Sequence, residues 1–279
     1  LQRLNGMFAF ALWDERRRCL FAARDRFGKK PFFYYHRDGR FYFASEMKAL
    51  FRVPGIPCRP DRDALDRYVR AFTLEAGEAT LFEDVRRLKP AEALLLTEKG
   101  QVRRWIYWHL EAKTPTRPVS LGQAEEEFRA LFIDSVGIRL RADVPVGSSL
   151  SGGLDSSAIV CTLTEKLSSH DNRGMKTFSA RFPDDPIVDE GVYIDALVRK
   201  TGVEAHQVTP SPEGLTGMLQ QMHYYQEEPF LSSSIFAQWE VMRLARKEQV
   251  TILLDGQGGD EILAGYIPYF QTYFLDLFL

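Results

Sequence analysis

Apolar residues fall into short runs over the first hundred positions and into longer helical stripes after them. Residues 7–13 (MFAFALW) and 19–23 (CLFAA) are split by the charged turn 14–18, which predicts a hairpin with strands covered on both faces. A second hairpin is predicted from residues 32–35 and 40–44 around His36-Arg37-Asp38-Gly39, where Asp-Gly supplies the positive-φ turn. Ser45 is expected to cap a short helix ending at Leu50. Asp61 should cap a longer one, whose apolar positions Leu65, Tyr68, Val69 and Phe72 recur at helical spacing. Strands return at 93–96 and 102–108 around Lys99-Gly100, completing a β-rich first unit.

Residues 113–118 (KTPTRP) hold two prolines, little to bury and no periodicity, so a connector and domain boundary are expected there. The pattern then changes. A helix is predicted over 121–140 with Phe128, Leu131, Phe132, Ser135 and Val136 inward, followed by a strand at 144–150 and a helix at 156–167. Strands at 177–182, 205–209 and 250–254 alternate with helices near 190–201, 212–223 and 233–247, the signature of a parallel sheet covered by helices.

At 279 residues the chain has room for about two domains. Its 36 Lys+Arg against 38 Asp+Glu give a net charge of −2, which offers no steering toward duplex nucleic acid. No run approaches the length of a membrane span, so no membrane partner is expected. Cys19, Cys58 and Cys161 lie far apart without CxxC spacing, which favours a reducing compartment, the cytoplasm. Leu1 stands where an initiator Met would, and the apolar ending YFQTYFLDLFL has no polar tail; both ends read as cut through folded material.

Two strand-to-helix loops carry the chemistry. The strand ending near Leu150 runs into Ser151-Gly152-Gly153-Leu154-Asp155-Ser156-Ser157. Its glycines permit close backbone approach, and its N–H groups, hydroxyls and following helix start make a concave donor array for phosphate oxygens. Asp155 would repel an anion unless a divalent cation lay between, which makes it a magnesium ligand. A capped glycine turn with no ligand is the alternative. Neither GxxxxGK[ST] nor GxGxxG is present, so a third kind of nucleotide loop is indicated. The second loop, Asp255-Gly256-Gln257-Gly258-Gly259-Asp260-Glu261, also follows an apolar strand. A parallel sheet can bring both loops to one rim, where Asp155 and Asp260 would share Mg²⁺ between pyrophosphate oxygens. Asp260 or Glu261 acting only as a helix cap remains the alternative.

Residues 151–157 resemble the SGGLDSS signature of ATP pyrophosphatases, and with Gly258–Glu261 and Tyr266 the chain resembles the glutamine-hydrolysing asparagine synthetase family. Residues 4–11 (LNGMFAFA), 24–31 (RDRFGKKP) and 43–50 (FASEMKAL) look like that family's class II glutaminase domain; Asp189-Glu190 with Tyr193, and Glu228-Pro229-Phe230 before Ser232-Ser233-Ser234, look like its synthetase domain. The resemblance implies an α/β chain. Residues 1–115 would be the closing part of an N-terminal-nucleophile-type α/β/β/α glutaminase sandwich. Residues 119–279 would be the opening part of a parallel-sheet α/β ATP pyrophosphatase-type synthetase domain. It implies ATP and Mg²⁺, with aspartate activated as an acyl adenylate, pyrophosphate released, and ammonia from glutamine attacking the acyl carbon. Leu150, Ser151, Gly152, Gly153, Leu154, Asp155, Ser156, Ser157, Ala180 and Gly256 would line the nucleotide site, with Asp155, Asp260 and Gln257 catalytic and Asp155 and Asp260 on the metal. Leu150 and Ala180 are equally read as core. A homodimer is implied by the resemblance alone.

Two positions depart from the family. Its glutaminase nucleophile is an N-terminal cysteine, whereas this chain begins with Leu1 and Cys19 lies in an apolar strand, so no glutamine hydrolysis is expected of the polypeptide as given. Gln257 stands where well-studied members carry a glutamate. An amide cannot take up a proton near neutral pH, so the acceptor stays open between aspartate and another carboxylate, such as a sugar acid, another metabolite or a β-lactam precursor. A non-catalytic nucleotide-binding protein is the third reading. His36 and His109 read as surface or loop residues, His170 and His206 offer no spacing to each other that suggests a metal site, and His223 borders either the acceptor pocket or a helix end.

Overall fold

A computed structural model describes residues 1–72, 77–110, 118–167, 174–230 and 232–278. Most of the expected connector at 113–118, and His170, lie outside the described residues. The chain divides into two compact units, one of Leu1–Thr116 with Gln220–Leu231, the other of Arg117–Leu219 with Ser232–Leu279.

The first unit holds two antiparallel sheets. One has the order β1 (Ala9–Asp14), β2 (Cys19–Arg24), β6 (Glu92–Thr97) and β7 (Val102–Ile106); the other has β4 (Arg40–Ala44), β3 (Phe33–Arg37) and β5 (Val85–Arg87). Ala22 faces Leu94 across the β2–β6 ladder, and these two pack with Phe32, Tyr34 and Leu88, so one core joins residues of both sheets. Leu88 and Leu94 are fully buried, each contributing about 1.5–3 kcal/mol relative to exposure. β5 escapes a sequence reading because its three residues, VRR, form no apolar run.

Loop residues 24–30 are held from within. The Asp25 carboxylate accepts four backbone N–H bonds, from Phe8, Phe27, Lys29 and Lys30, at 3.0–3.2 Å. Burial alone would push this carboxyl up, but those donors outweigh it and hold its pKa below the ordinary value. The Arg24 guanidinium in turn donates to the carbonyls of Lys30, Leu88 and Gly28.

Two helices in this unit differ from expectation. The short helix α1 is Met47–Leu50, and Ser45 does not cap it: the carboxylate of Glu227 accepts from Met47 N and Lys48 N at 2.8 and 2.6 Å. A residue 180 positions away does what a neighbouring serine was expected to do. Asp61 does cap α2 (Arg62–Ala71), accepting from Ala64 N at 2.9 Å. Yet the apolar stripe of α2 does not enter the core, since Leu65, Val69 and Phe72 are exposed and Ala64 is buried instead. Glu228, next to Glu227, forks onto Arg87 through both carboxylate oxygens at 2.8 Å and also accepts from Leu81 N.

The second unit is a parallel sheet in the order β10 (Glu204–Val208), β9 (Lys176–Ala180), β8 (Val146–Ser149) and β11 (Ile252–Leu254). Among the described residues its helices are α3 (Leu121–Arg139), α4 (Leu154–Leu167), α5 (Gly191–Thr201), the first part of α6 (Pro212–Gln226), whose residues from Gln220 on belong to the first unit, α7 (Ser234–Lys247), α8 (Gly259–Leu263) and α9 (Ile267–Phe278). α3 buries only the end of its expected stripe: Val136 is in the core and Phe132 packs on it, while Phe128 and Leu131 are exposed. On the other face of the sheet, Phe178 packs with Val241, Ala245 and Val250. From β8 the chain steps outward through β9 to β10, then returns to the opposite side of β8 for β11. The strand order therefore reverses between β8 and β11. Among the described residues no helix is long and apolar enough to cross a membrane.

Candidate active site

Because β8 and β11 are parallel neighbours, in register Ile252 with Val146 through Leu254 with Ser148, their loops leave the same edge side by side. Ser148, fully buried, ties the two strands by donating its hydroxyl to the Leu254 carbonyl at 3.0 Å. This is the reversal point of an open parallel sheet, the place where such sheets form a crevice for ligands.

The first loop is closed by its own hydroxyls. Ser151 Oγ lies 3.0 Å from Ser156 Oγ and accepts from Gly153 N, while Ser156 Oγ donates to the Gly153 carbonyl. Gly152 takes a φ of 92°, a conformation that costs a side chain about 1–2 kcal/mol. With both hydroxyls turned inward, an anion at this end of α4 would meet backbone N–H groups rather than the serine side chains. Leu154 is exposed and Ser157 half-buried in the first turn of α4.

Asp155, also in that turn, reaches across to the second loop. A Cβ at Gly256 would lie 3.1 Å from Asp155 Cβ, and one at Gly259 would collide with the Asp155 carboxylate itself. Glycine at 256 and 259 is thus what lets the two loops approach. Asp260 is half-buried in the first turn of α8, and its carboxylate lies against Gly265, where a Cβ would collide with it. Gln257 is exposed, and its N–H donates to Asp255 Oδ1 at 3.2 Å, so Asp255 braces the loop. The Tyr266 hydroxyl donates to Glu261, which pushes the phenol's pKa up. Leu150 puts its side chain into a core with Val160, Ile194 and Val203, and Ala180 packs beside Phe178 at the end of β9.

These residues suit a nucleotide phosphate chain with a divalent cation. Glycines stand where side chains would fill the crevice, and an acidic oxygen lies over the seam between the loops, where it would oppose an anion without a bridging cation.

One further donor set was not legible as such. Among the described residues, Glu204, His206 and Glu248 form a group able to hold a divalent metal, with ligand atoms within 4.8 Å of one another. Alternation along β10 puts residues 204 and 206 on one face, and the end of α7 brings Glu248 to them. His206 Nε2 lies 2.8 Å from Glu204, and the Lys176 ammonium lies 3.1 Å from Glu248. The group sits at the amino ends of β9 and β10, away from the carboxyl-end loops, so a metal there would compete with Lys176 and would not be the cation beside Asp155.

The glutamine amidotransferase domain model matches residues 1–108, and the asparagine synthase model matches residues 127–278. The chain therefore belongs to the asparagine synthase family. Within that family the chain pairs a glutamine amidotransferase domain match with an asparagine synthase domain match. It is similar to glutamine-hydrolyzing asparagine synthetase 3 of Bacillus subtilis (strain 168), 33% identical over 98% of this chain and 45% of that protein. It is also similar to asparagine synthetase 1 of the same organism, 32% identical over 96% and 40%. A third relative, Amidase chyE of Penicillium rubens, is 29% identical over 95% and 40%. The chain spans less than half the length of each of these relatives. One expectation is corrected: where a fragment was read, both family domains are matched, across nearly the whole chain.

Proposed function

We propose that this chain serves an ATP-dependent asparagine synthetase. In this reading aspartate's side-chain carboxylate attacks the α-phosphorus of ATP, pyrophosphate leaves, and ammonia derived from glutamine displaces AMP from the acyl adenylate. The observation that carries the reading is the meeting of the two loops at the strand-order reversal, with Asp155 laid over Gly256 and Gly259. The backbone of residues 151–156 would hold the phosphates. Asp155 and Asp260 would hold magnesium, which neutralises charge as the phosphorus–oxygen bond breaks. Gln257, exposed at the loop's tip, would orient the acceptor through its amide and carry no proton. We assign no thiol of residues 1–279 to glutamine hydrolysis: Cys19, the cysteine nearest the chain's start, is buried in β2. All three cysteines are free, which supports a cytoplasmic setting.

A second reading keeps the adenylation and changes the acceptor, favoured by Gln257 and by a relative named an amidase. The test is ammonia-dependent turnover of the full-length protein with ATP, supplying aspartate or other carboxylates. Asparagine, AMP and pyrophosphate in equal amounts support the first reading. Pyrophosphate released only with a different carboxylate supports the second, and none released with any carboxylate refutes both.

A further inference from the structure

We infer that Arg181 and Asp189 form a positioning clamp for the 151–157 loop, setting the shape of the nucleotide cradle without touching the nucleotide. The inference rests on the ATP reading above and adds to it two residues outside both loops.

Arg181 directly follows β9. Its Nε and Nη2 donate to the two oxygens of Asp189, each at 2.9 Å, and Asp189 Oδ1 also accepts from Phe182 N at 2.9 Å. Nη1 is taken up by Gln207 at 3.2 Å and faces Asp195 at 3.5 Å. With its nitrogens engaged in this way, the guanidinium is spent within the protein and is not offered to a phosphate. Both side chains are largely buried, at 19% and 13% exposure. The Asp189 carboxyl is held down at about 2 by Arg181 and by backbone N–H groups of Phe182 and Gly191.

The pair fixes the start of α5. The guanidinium occupies the place a side chain at residue 191 would take, so a Cβ at Gly191 would collide with it. Glu190, between the clamped Asp189 and Gly191, then backs onto the phosphate loop: a Cβ at Gly152 would come within 2.8 Å of Glu190 Cβ and 2.9 Å of its carbonyl oxygen. Ile194, one turn on and fully buried, completes that wall with Leu150. The order of contact is therefore Arg181, Asp189, Glu190, Gly152. Release of the clamp removes the wall that confines Gly152 to its positive φ.

The test compares the full chain with Arg181→Lys, Asp189→Asn and Gly191→Ala. ATP binding in the presence of magnesium is read by calorimetry, amide hydrogen exchange over residues 151–157 by mass spectrometry, and melting temperature alongside. Arg181→Lys is the decisive variant, because it keeps the charge and loses the two-pronged geometry. The clamp predicts ATP affinity about tenfold weaker in each variant, with faster exchange in the loop and unchanged exchange in β8 and β11. Loop exchange equal to the parent's in Arg181→Lys overturns the clamp, as does acceleration spread evenly over the whole unit. If the parent binds no ATP, the nucleotide reading falls while loop exchange still decides the clamp. If Asp155→Asn abolishes binding and the three clamp variants do not alter it, the clamp fails and the nucleotide reading stands.

Discussion

Replacing Gly259 with alanine should damage magnesium-dependent ATP binding far more than it damages stability. The new Cβ would stand 2.5 Å from Asp155 Cγ. Carbon atoms settle at about 3.5 Å, so the carboxylate has to retreat by about 1 Å. It is the free end of a short side chain, and the off-rotamer strain of that retreat costs about 1 kcal/mol. Alanine at the first position of α8 returns a similar amount, about 1 kcal/mol over glycine, so the net change in folding free energy is near zero. A misplacement of about 1 Å at a reacting centre can cost about a hundredfold in rate.

Gly258 supplies the control. Its φ is 98° and a Cβ there would meet no atom within 4 Å, so Gly258→Ala leaves Asp155 untouched but strains the backbone by about 1–2 kcal/mol. The two neighbouring substitutions should show opposite profiles. Gly259→Ala keeps its urea midpoint and loses ATP affinity and pyrophosphate release, while Gly258→Ala loses stability and keeps more of its affinity. Calorimetric titration of ATP with magnesium and urea unfolding of the full-length protein read both quantities. Parent-like ATP affinity in Gly259→Ala would refute the placement of Asp155 in the nucleotide site.

Three further outcomes are expected. Asp25→Ala strips four backbone donors of their acceptor and should cost about 3 kcal/mol in urea unfolding; a loss below about 1 kcal/mol would show that water replaces the carboxylate. Glu228→Ala leaves Arg87, 7% exposed, without its forked partner and should destabilise the first unit by about 3–5 kcal/mol, whereas a change within experimental error would mean the pair contributes nothing net. Asp189 has a depressed folded pKa of about 2, so its stabilisation is fully present above the ordinary carboxyl value of about 4 and is lost as pH falls toward 2. Acid unfolding should lose that limb in Asp189→Asn, and superimposable acid curves for parent and variant would reject the assignment.

Much of the fold was legible where the chemistry is local. Short apolar runs and an Asp-Gly turn located β1 to β4, and Asp61 announced the start of α2, because a run, a turn and an N-cap are properties of a few adjacent residues. The failures share the opposite property. α1 takes its cap from Glu227, a partner that no local window contains. The stripe on α2 correctly marked a helix, but periodicity names a face and not what covers it, and here Leu65, Val69 and Phe72 remain exposed. Glu228, next to Pro229, read as part of a synthetase motif. In the structure its carboxylate is committed to residues 81 and 87 of the first unit, as that of Glu227 is to residues 47 and 48.

The loops divide in the same way. Glycine, serine and aspartate after an apolar strand already suggest a phosphate cradle, since that chemistry needs close backbone approach and a cation ligand. Which loop faces which depends on strand order, and strand order is a long-range outcome: β11 joins β8 only because the chain doubles back after β10. That return gives Gly256 and Gly259 their role, a close approach to Asp155 from a hundred residues away that composition alone reads as a flexible turn. It also separates the two acidic groupings of the sheet. Asp155 opens a helix at the carboxyl ends of the strands, whereas Glu204, His206 and Glu248 cluster at the amino ends, where both glutamates pair with Lys176. A metal titration that displaced Lys176 would therefore report on the amino-end cluster, and its outcome should be independent of ATP and of substitutions at Gly259.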